Sequence, residues 1–206
     1  NINFIWRHGN AYRDNDEFDA SDANEAVVKY IRNKFIQLSV DLGGKTIIEK
    51  TESNTLRISF VDKIFPKAKY IFVMRDGRDA IASMLKRRHQ SFNLTFLLKK
   101  AWHVPLSDIP IVFIKYLGNV LRRYVFKNNV VYQLGPVFKG MDDVCCNHTE
   151  EEVVAIQWSK CIGKAYDDVH NIEPSRVHYI KYEELVNNSN TEIINLINFL
   201  KIDISA

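Results

Sequence analysis

Glycine, proline and cysteine are scarce in this chain, with 8, 5 and 3 of 206 residues. So few glycines and prolines exclude a collagen-like or low-complexity protein. Three cysteines, Cys145, Cys146 and Cys161, are too few and odd in number for a disulfide scaffold, which fits a reducing compartment. No charge of one sign dominates: 28 basic against 25 acidic residues leave +3. That is too little for wholesale binding to nucleic acid or an acidic membrane surface, so any anion site must be local. The longest apolar stretch, Ile109 to Leu121, is broken by Pro110, Lys115 and Asn119 and is too short to span a bilayer. The opening phrase, Asn1-Ile2-Asn3-Phe4-Ile5-Trp6, has neither a methionine nor a signal-peptide pattern, so a preceding segment is expected. Internal repeats and composition shifts are also missing, which leaves one domain over residues 1–206. What is present is 46% apolar and 26% charged content, enough for a soluble chain with a substantial core.

Apolar periodicity predicts a helix from Ser21 to Leu38, opened by a Ser21/Asp22 cap and ended by Gly43-Gly44. Lys45 to Lys50 is a short β-branched run that reads as a strand. Thr55 to Phe65 reads as a helix stopped by Pro66. Lys69 to Arg75 is a near-continuous apolar run, the pattern of a strand buried on both faces. Strand, helix and strand in about thirty residues make a βαβ unit. Asp79 can then cap a helix running to Arg88. An aromatic and basic stretch from about 91 to 148 reads as an irregular, partly helical insertion. Beyond it, Glu150 to Val169 with a Thr149 cap predicts a helix, Arg176 to Tyr182 a strand, and Thr191 to Leu200 a closing helix. The expected class is therefore α/β, a parallel sheet flanked by helices.

Two strand ends carry the chemistry. Arg75 closes the Lys69–Arg75 strand, and Ser83 lies eight residues on in the following helix, with Arg87 four residues farther on the same face. A guanidinium fork and a hydroxyl near a helix N-terminus suit a dianionic phosphate. Arg75, Asp76, Arg78 and Asp79 fit a surface ion-pair cluster equally well. The other strand end is Glu49-Lys50-Thr51, where a lysine can reach a transferring group as a compact, mobile charge. Ligands of open α/β sheets bind at such carboxyl ends.

Lys50-Thr51-Glu52-Ser53-Asn54-Thr55-Leu56-Arg57, then Phe65-Pro66-Lys67-Ala68-Lys69, then Arg75-Asp76-Gly77-Arg78-Asp79 through Ser83-Met84 resemble the middle of a sulfotransferase. The branch is the one that includes bacterial sulfotransferases and resembles the tyrosylprotein enzymes. Gln157-Trp158 and Arg176-Val177 to Tyr182-Glu183-Glu184-Leu185, followed by Phe199-Leu200, are similar to that family's C-terminal half. The resemblance implies a P-loop-like, three-layer α/β/α fold and the donor 3′-phosphoadenosine 5′-phosphosulfate, with no metal. It puts the family's 3′-phosphate arginine and serine on Arg75 and Ser83, a further cofactor-binding arginine on Arg87 and a cofactor-binding tyrosine on Tyr182. The lysine that steadies the transferring sulfuryl group falls on Lys50. The base is left open: the tyrosylprotein branch implies a glutamate upstream of Asn1, while cytosolic relatives carry a histidine two residues after that lysine, where Glu52 stands here as a base or as a solvated acid of the turn.

The resemblance also implies a 5′-phosphosulfate loop upstream of Asn1 and a C-terminal loop beyond Ala206, without which the cofactor is bound poorly. Gly43-Gly44 precedes a strand rather than a helix and does not supply that loop. The six histidines show no His-x-x-x-His spacing, so no metal site is expected. The expected acceptor is a small molecule, carbohydrate or peptide, recognised by Arg87-Arg88-His89, Trp102-His103 and Arg122-Arg123-Tyr124. Nucleic acid is not expected as a partner. A noncatalytic nucleotide-binding or scaffold protein of the same fold is the alternative, and a P-loop kinase is disfavoured by the lack of a Walker lysine motif. The expected location is cytoplasmic, or the Golgi lumen if an anchor precedes Asn1. Sequons at Asn93, Asn147 and Asn187 are at chance number and establish no secretory route.

Overall fold

In a computed structural model, residues 3–88 and 135–202 are described. A short helix α1 (Asn3–Trp6) leads through a 3-10 turn at Ala20–Asp22 into α2 (Glu25–Asp41). The cap of α2 is Asn24, whose side chain accepts from the Val27 N–H, rather than Ser21 or Asp22. Asp22 is already committed: it closes a capping box with Asp19 and pairs with Arg13. A second 3-10 turn, Glu52–Leu56, precedes α3 (Ile58–Ile64). The helix predicted from Thr55 therefore starts three residues late. Arg57 breaks the run, because its guanidinium is drawn inward to the side chains of Asn54 and Asn3.

Strand β1 (Tyr70–Met74) feeds α4 (Gly77–Arg88). After α5 (Met141–Asn147), the capping box of Thr149 and Glu152 opens α6 (Glu150–His170), as its S/T-x-x-E pattern dictates. Strand β2 (Val177–Lys181) follows, then α7 (Tyr182–Asn187) and α8 (Ser189–Leu200). The last part of the expected insertion is thus ordered, with Met141 and Cys145 of α5 buried against Leu56, Val153 and Cys161.

The two strands pair in parallel, Tyr70 with Val177 through Met74 with Lys181. One sheet face buries Phe72 and Val177 against Ile58 of α3 and Ala165 and Val169 of α6. On the other, His178 stacks on Phe199 of α8 at 5.1 Å. Helices on both faces of a parallel sheet give the mixed α/β architecture the sequence predicts. A separate core joins α1, α2 and α3 through Trp6, Phe18, Ile31, Phe60 and Ile64.

One predicted strand is absent. Lys45–Lys50 forms no ladder, and the parallel pair is made by the second and third expected strands instead. A β-branched run becomes a strand only beside a partner that satisfies its backbone. Among the described residues the sheet has two strands, and Ile48 stands 71% exposed. Gly43 and Gly44, with φ of +75° and +77°, turn the chain off the end of α2 into this extended segment.

A polar knot then anchors the segment that follows. Buried Asp16 accepts from Arg7 at 2.7 Å, from Ser53 at 2.9 Å and from the Val137 N–H at 3.1 Å. Three stretches far apart in the chain are thereby tied together under the Glu52–Leu56 turn. Arg57 lies fully buried between the rings of Trp6 and Phe18, and desolvation pushes its guanidinium down to about 10.

Candidate active site

Strand register builds the first half of the site. Because Met74 pairs with Lys181, the next residues of each strand, Arg75 and Tyr182, emerge side by side at the carboxyl edge of the sheet. The Arg75 guanidinium stands 4.7 Å from the Tyr182 ring centroid, a cation–π contact that holds an exposed arginine in one orientation. Among the described residues no carboxylate forms an ion pair with Arg75, whereas Arg78 pairs with Asp76 and Arg87 with Glu52.

The turn between β1 and α4 is held from both sides. The Asp76 side chain accepts from the Arg78 N–H at 2.9 Å, and its carbonyl accepts from the Ala80 N–H at 2.9 Å. Asp76, not Asp79, therefore caps α4, which begins at Gly77. The hydrogen bonds from Arg78 hold the Asp76 carboxyl below the usual carboxylate range. From the first turn of α7, directly after β2, the Glu183 carboxylate accepts from the Asp76 N–H at 3.0 Å, a bond that likewise lowers the Glu183 carboxyl. Gly77 is required by packing: a Cβ there would lie 2.7 Å from Cη2 of Trp158 on α6. Next to Trp158, buried Gln157 donates to the Pro136 carbonyl at 2.7 Å, which fixes this face of α6.

The second half of the site lies at the other end of α4. Ser83 is half-buried in the middle of the helix, and Arg87 is in its last turn. Helical rise puts the Arg87 backbone about 15 Å along the axis from Gly77. There Nη1 of Arg87 is 3.5 Å from Oε1 of Glu52, and Nζ of Lys50 is 3.4 Å from the same oxygen. Lys50 is 79% exposed on its side chain and Glu52 48%, so both face solvent. Glu49 sets the approach of this lysine by accepting from Thr51 and Asn54. Behind it, Thr55 donates to the Glu52 carbonyl at 2.8 Å, and burial pushes the neighbouring Cys161 thiol up to about 11.

The structure thus joins Lys50, Glu52 and Arg87 in one cluster and Arg75 with Tyr182 in another, with Ser83 on the helix between them. Lys50 reaches its place from an irregular segment, not from the strand end predicted. Glu183, Gly77 and Trp158 stood within the quoted motifs but drew no role, since their work depends on contacts across 81 and 107 positions of sequence. His89, Trp102, His103 and Arg122–Tyr124 lie outside the described residues. Among the described residues no group of three or more His, Cys, Asp or Glu is placed to hold a metal ion, and no helix is long and apolar enough to cross a membrane.

Comparison with known proteins gives this geometry a lineage. Residues 5–103 match the model of the sulfotransferase family. That segment, just under half of the chain, is similar to the sulfotransferase family. The matched segment holds the whole Lys50–Ser83 series of motifs and Arg87. Among solved structures, the sulfotransferase domain from the curacin biosynthetic pathway is similar at a TM-score of 0.53 and 14% identity. That likeness covers 98% of this chain and 55% of the curacin domain, so the chain spans just over half the length of that structure. It concerns the fold, and it extends the P-loop-like α/β relationship through β2 and α7, beyond the matched family segment. No curated protein matches the chain.

Proposed function

We propose that this protein transfers a sulfuryl group from 3′-phosphoadenosine 5′-phosphosulfate to a hydroxyl or amine acceptor. The observation that carries the reading is Arg75. Its guanidinium is stacked on Tyr182, free of any carboxylate ion pair among the described residues, and set one residue before the cap of α4. An arginine held ready at a helix N-terminus is a site for a phosphate, bound by fork-like hydrogen bonds and favoured by the helix dipole. The donor set fits the nucleotide: Arg75 and Ser83 for the 3′-phosphate, Tyr182 beside it, and Arg87 as a further cation along the same helix.

When bound, the donor supplies an activated sulfuryl group on a phosphate leaving group. The protein's work is positioning and electrostatics, as in other in-line transfers to an oxygen nucleophile. Lys50 is exposed, and its ammonium is the charge that steadies the leaving oxygen. In the structure it shares Glu52 with Arg87, an exposed ion pair of the weak kind that an arriving dianion can displace. Glu52 is the carboxylate that pairs with this lysine, at 3.4 Å, and takes the role of proton acceptor for the acceptor hydroxyl. The acceptor itself, a small molecule, carbohydrate or peptide, is assigned to no described pocket.

The test is transfer of radiolabelled sulfate from the donor to a panel of phenol, carbohydrate, lipid and peptide acceptors. It uses protein expressed from the complete reading frame, alone and as Lys50→Ala. One acceptor class is expected to take up label, with turnover of the variant lowered about 10²–10³-fold and donor binding changed little. Full turnover by Lys50→Ala would reject its role.

A further inference from the structure

We propose that Glu183 is a positioning residue for Arg75: by holding the Asp76 amide it fixes the backbone from which the phosphate-binding guanidinium projects. This rests on the donor-binding reading above and adds to it the device that preorganises the site. The first amides of a helix have no intrahelical partner, and at an anion site they are free to turn with the loop that carries them. Here the amide that follows Arg75 donates to Oε1 of Glu183 at 3.0 Å, across 107 residues of sequence. Asp76 uses its own side chain locally, on the Arg78 N–H. Glu183 is therefore the carboxylate that ties the β1–α4 turn to the end of β2.

The same dipeptide acts twice. Tyr182 lies under the Arg75 guanidinium, 4.7 Å from ring centroid to Cζ, while Glu183 holds the next peptide group. Side chain and backbone of one exposed arginine are thus fixed by the first two residues of α7, which follows β2 directly. On the third side, Gly77 is packed against Trp158. An arginine so held loses less freedom when it engages a phosphate, and lower ordering cost appears directly as affinity. The Glu183 charge sits at the positive end of the α4 dipole, where a carboxylate is favoured.

The experiment is calorimetric titration of adenosine 3′,5′-bisphosphate into the protein from its complete reading frame and into Glu183→Ala, Glu183→Gln, Arg75→Ala and the Arg75→Ala/Glu183→Ala double variant. Glu183→Ala is expected to weaken binding about tenfold, the scale of one hydrogen bond to a charged group. Glu183→Gln, whose amide oxygen still accepts, is expected to stay within about threefold of the unaltered protein. In the Arg75→Ala background the loss at Glu183 is expected to vanish, because the residue acts through Arg75. Hydrogen exchange of the 75–80 segment is expected to quicken in Glu183→Ala without a matching change elsewhere. If Glu183→Ala does not fold, Glu183→Asp, which withdraws the carboxylate by one methylene, serves the same comparison. Weakening by Arg75→Ala with none by the Glu183 variants, or additive losses in the double variant, would overturn the proposal and leave donor binding standing. No weakening by Arg75→Ala would overturn the donor site and this proposal together.

Discussion

Glu52 illustrates how one side chain carries two demands. Its Oε1 is shared by Lys50 at 3.4 Å and Arg87 at 3.5 Å, so the carboxylate holds the proposed transfer lysine and the proposed donor-binding arginine before any anion arrives. Glu52→Gln removes that competitor, and affinity for adenosine 3′,5′-bisphosphate is expected to rise a few-fold, by about the small worth of an exposed ion pair. Isothermal titration measures this, and turnover of the same variant reports separately on proton transfer. At this scale the sequence announced the cationic residues, since Lys50, Arg75 and Arg87 lie in recognisable local phrases. It did not announce Arg57 or Asp16. A fully buried arginine between Trp6 and Phe18, and a buried aspartate bound by Arg7, Ser53 and Val137, depend on packing between distant segments that no local pattern encodes.

Helix α4 is the element that carries the proposed site, with Arg75 just before it, Ser83 within it and Arg87 at its end. Its seat on α6 depends on Gly77, where an added Cβ would meet the Trp158 ring at 2.7 to 3.0 Å. Replacement by alanine gains up to about 1 kcal/mol in helix propensity but faces overpacking of about 1–3 kcal/mol. Gly77→Ala is therefore expected to lower stability by about 1 kcal/mol in urea unfolding. Adding Trp158→Phe, which trims the ring, is expected to make the combined loss less than the sum of the two. Elements with a complete local signal were legible: the capping box at Thr149, the apolar run of β1 and the Arg176–Tyr182 strand all appear within a few residues of expectation. The Lys45–Lys50 strand failed because β structure requires a neighbouring strand, and its residues record only their own propensity. The cap of α2 shifted from Ser21/Asp22 to Asn24 for a related reason, since Arg13 and Asp19 had claimed Asp22.

For the whole molecule, a net charge of +3 required any anion site to be local, and the fold supplies the locality. Parallel pairing of β1 and β2 brings Arg75 beside Tyr182 from 107 positions away, and α4 runs from that edge toward Lys50. Neither neighbour relation could be computed from spacing alone; each follows once the two strands are known to pair. The central claim is that this edge binds the nucleotide donor of a sulfotransferase. It is tested most directly by calorimetric titration of adenosine 3′,5′-bisphosphate into protein from the complete reading frame and into Arg75→Ala. Saturable binding weakened at least about tenfold by the substitution, the scale of a charge-assisted phosphate contact, is the result predicted. Equal affinity of the two proteins would contradict it.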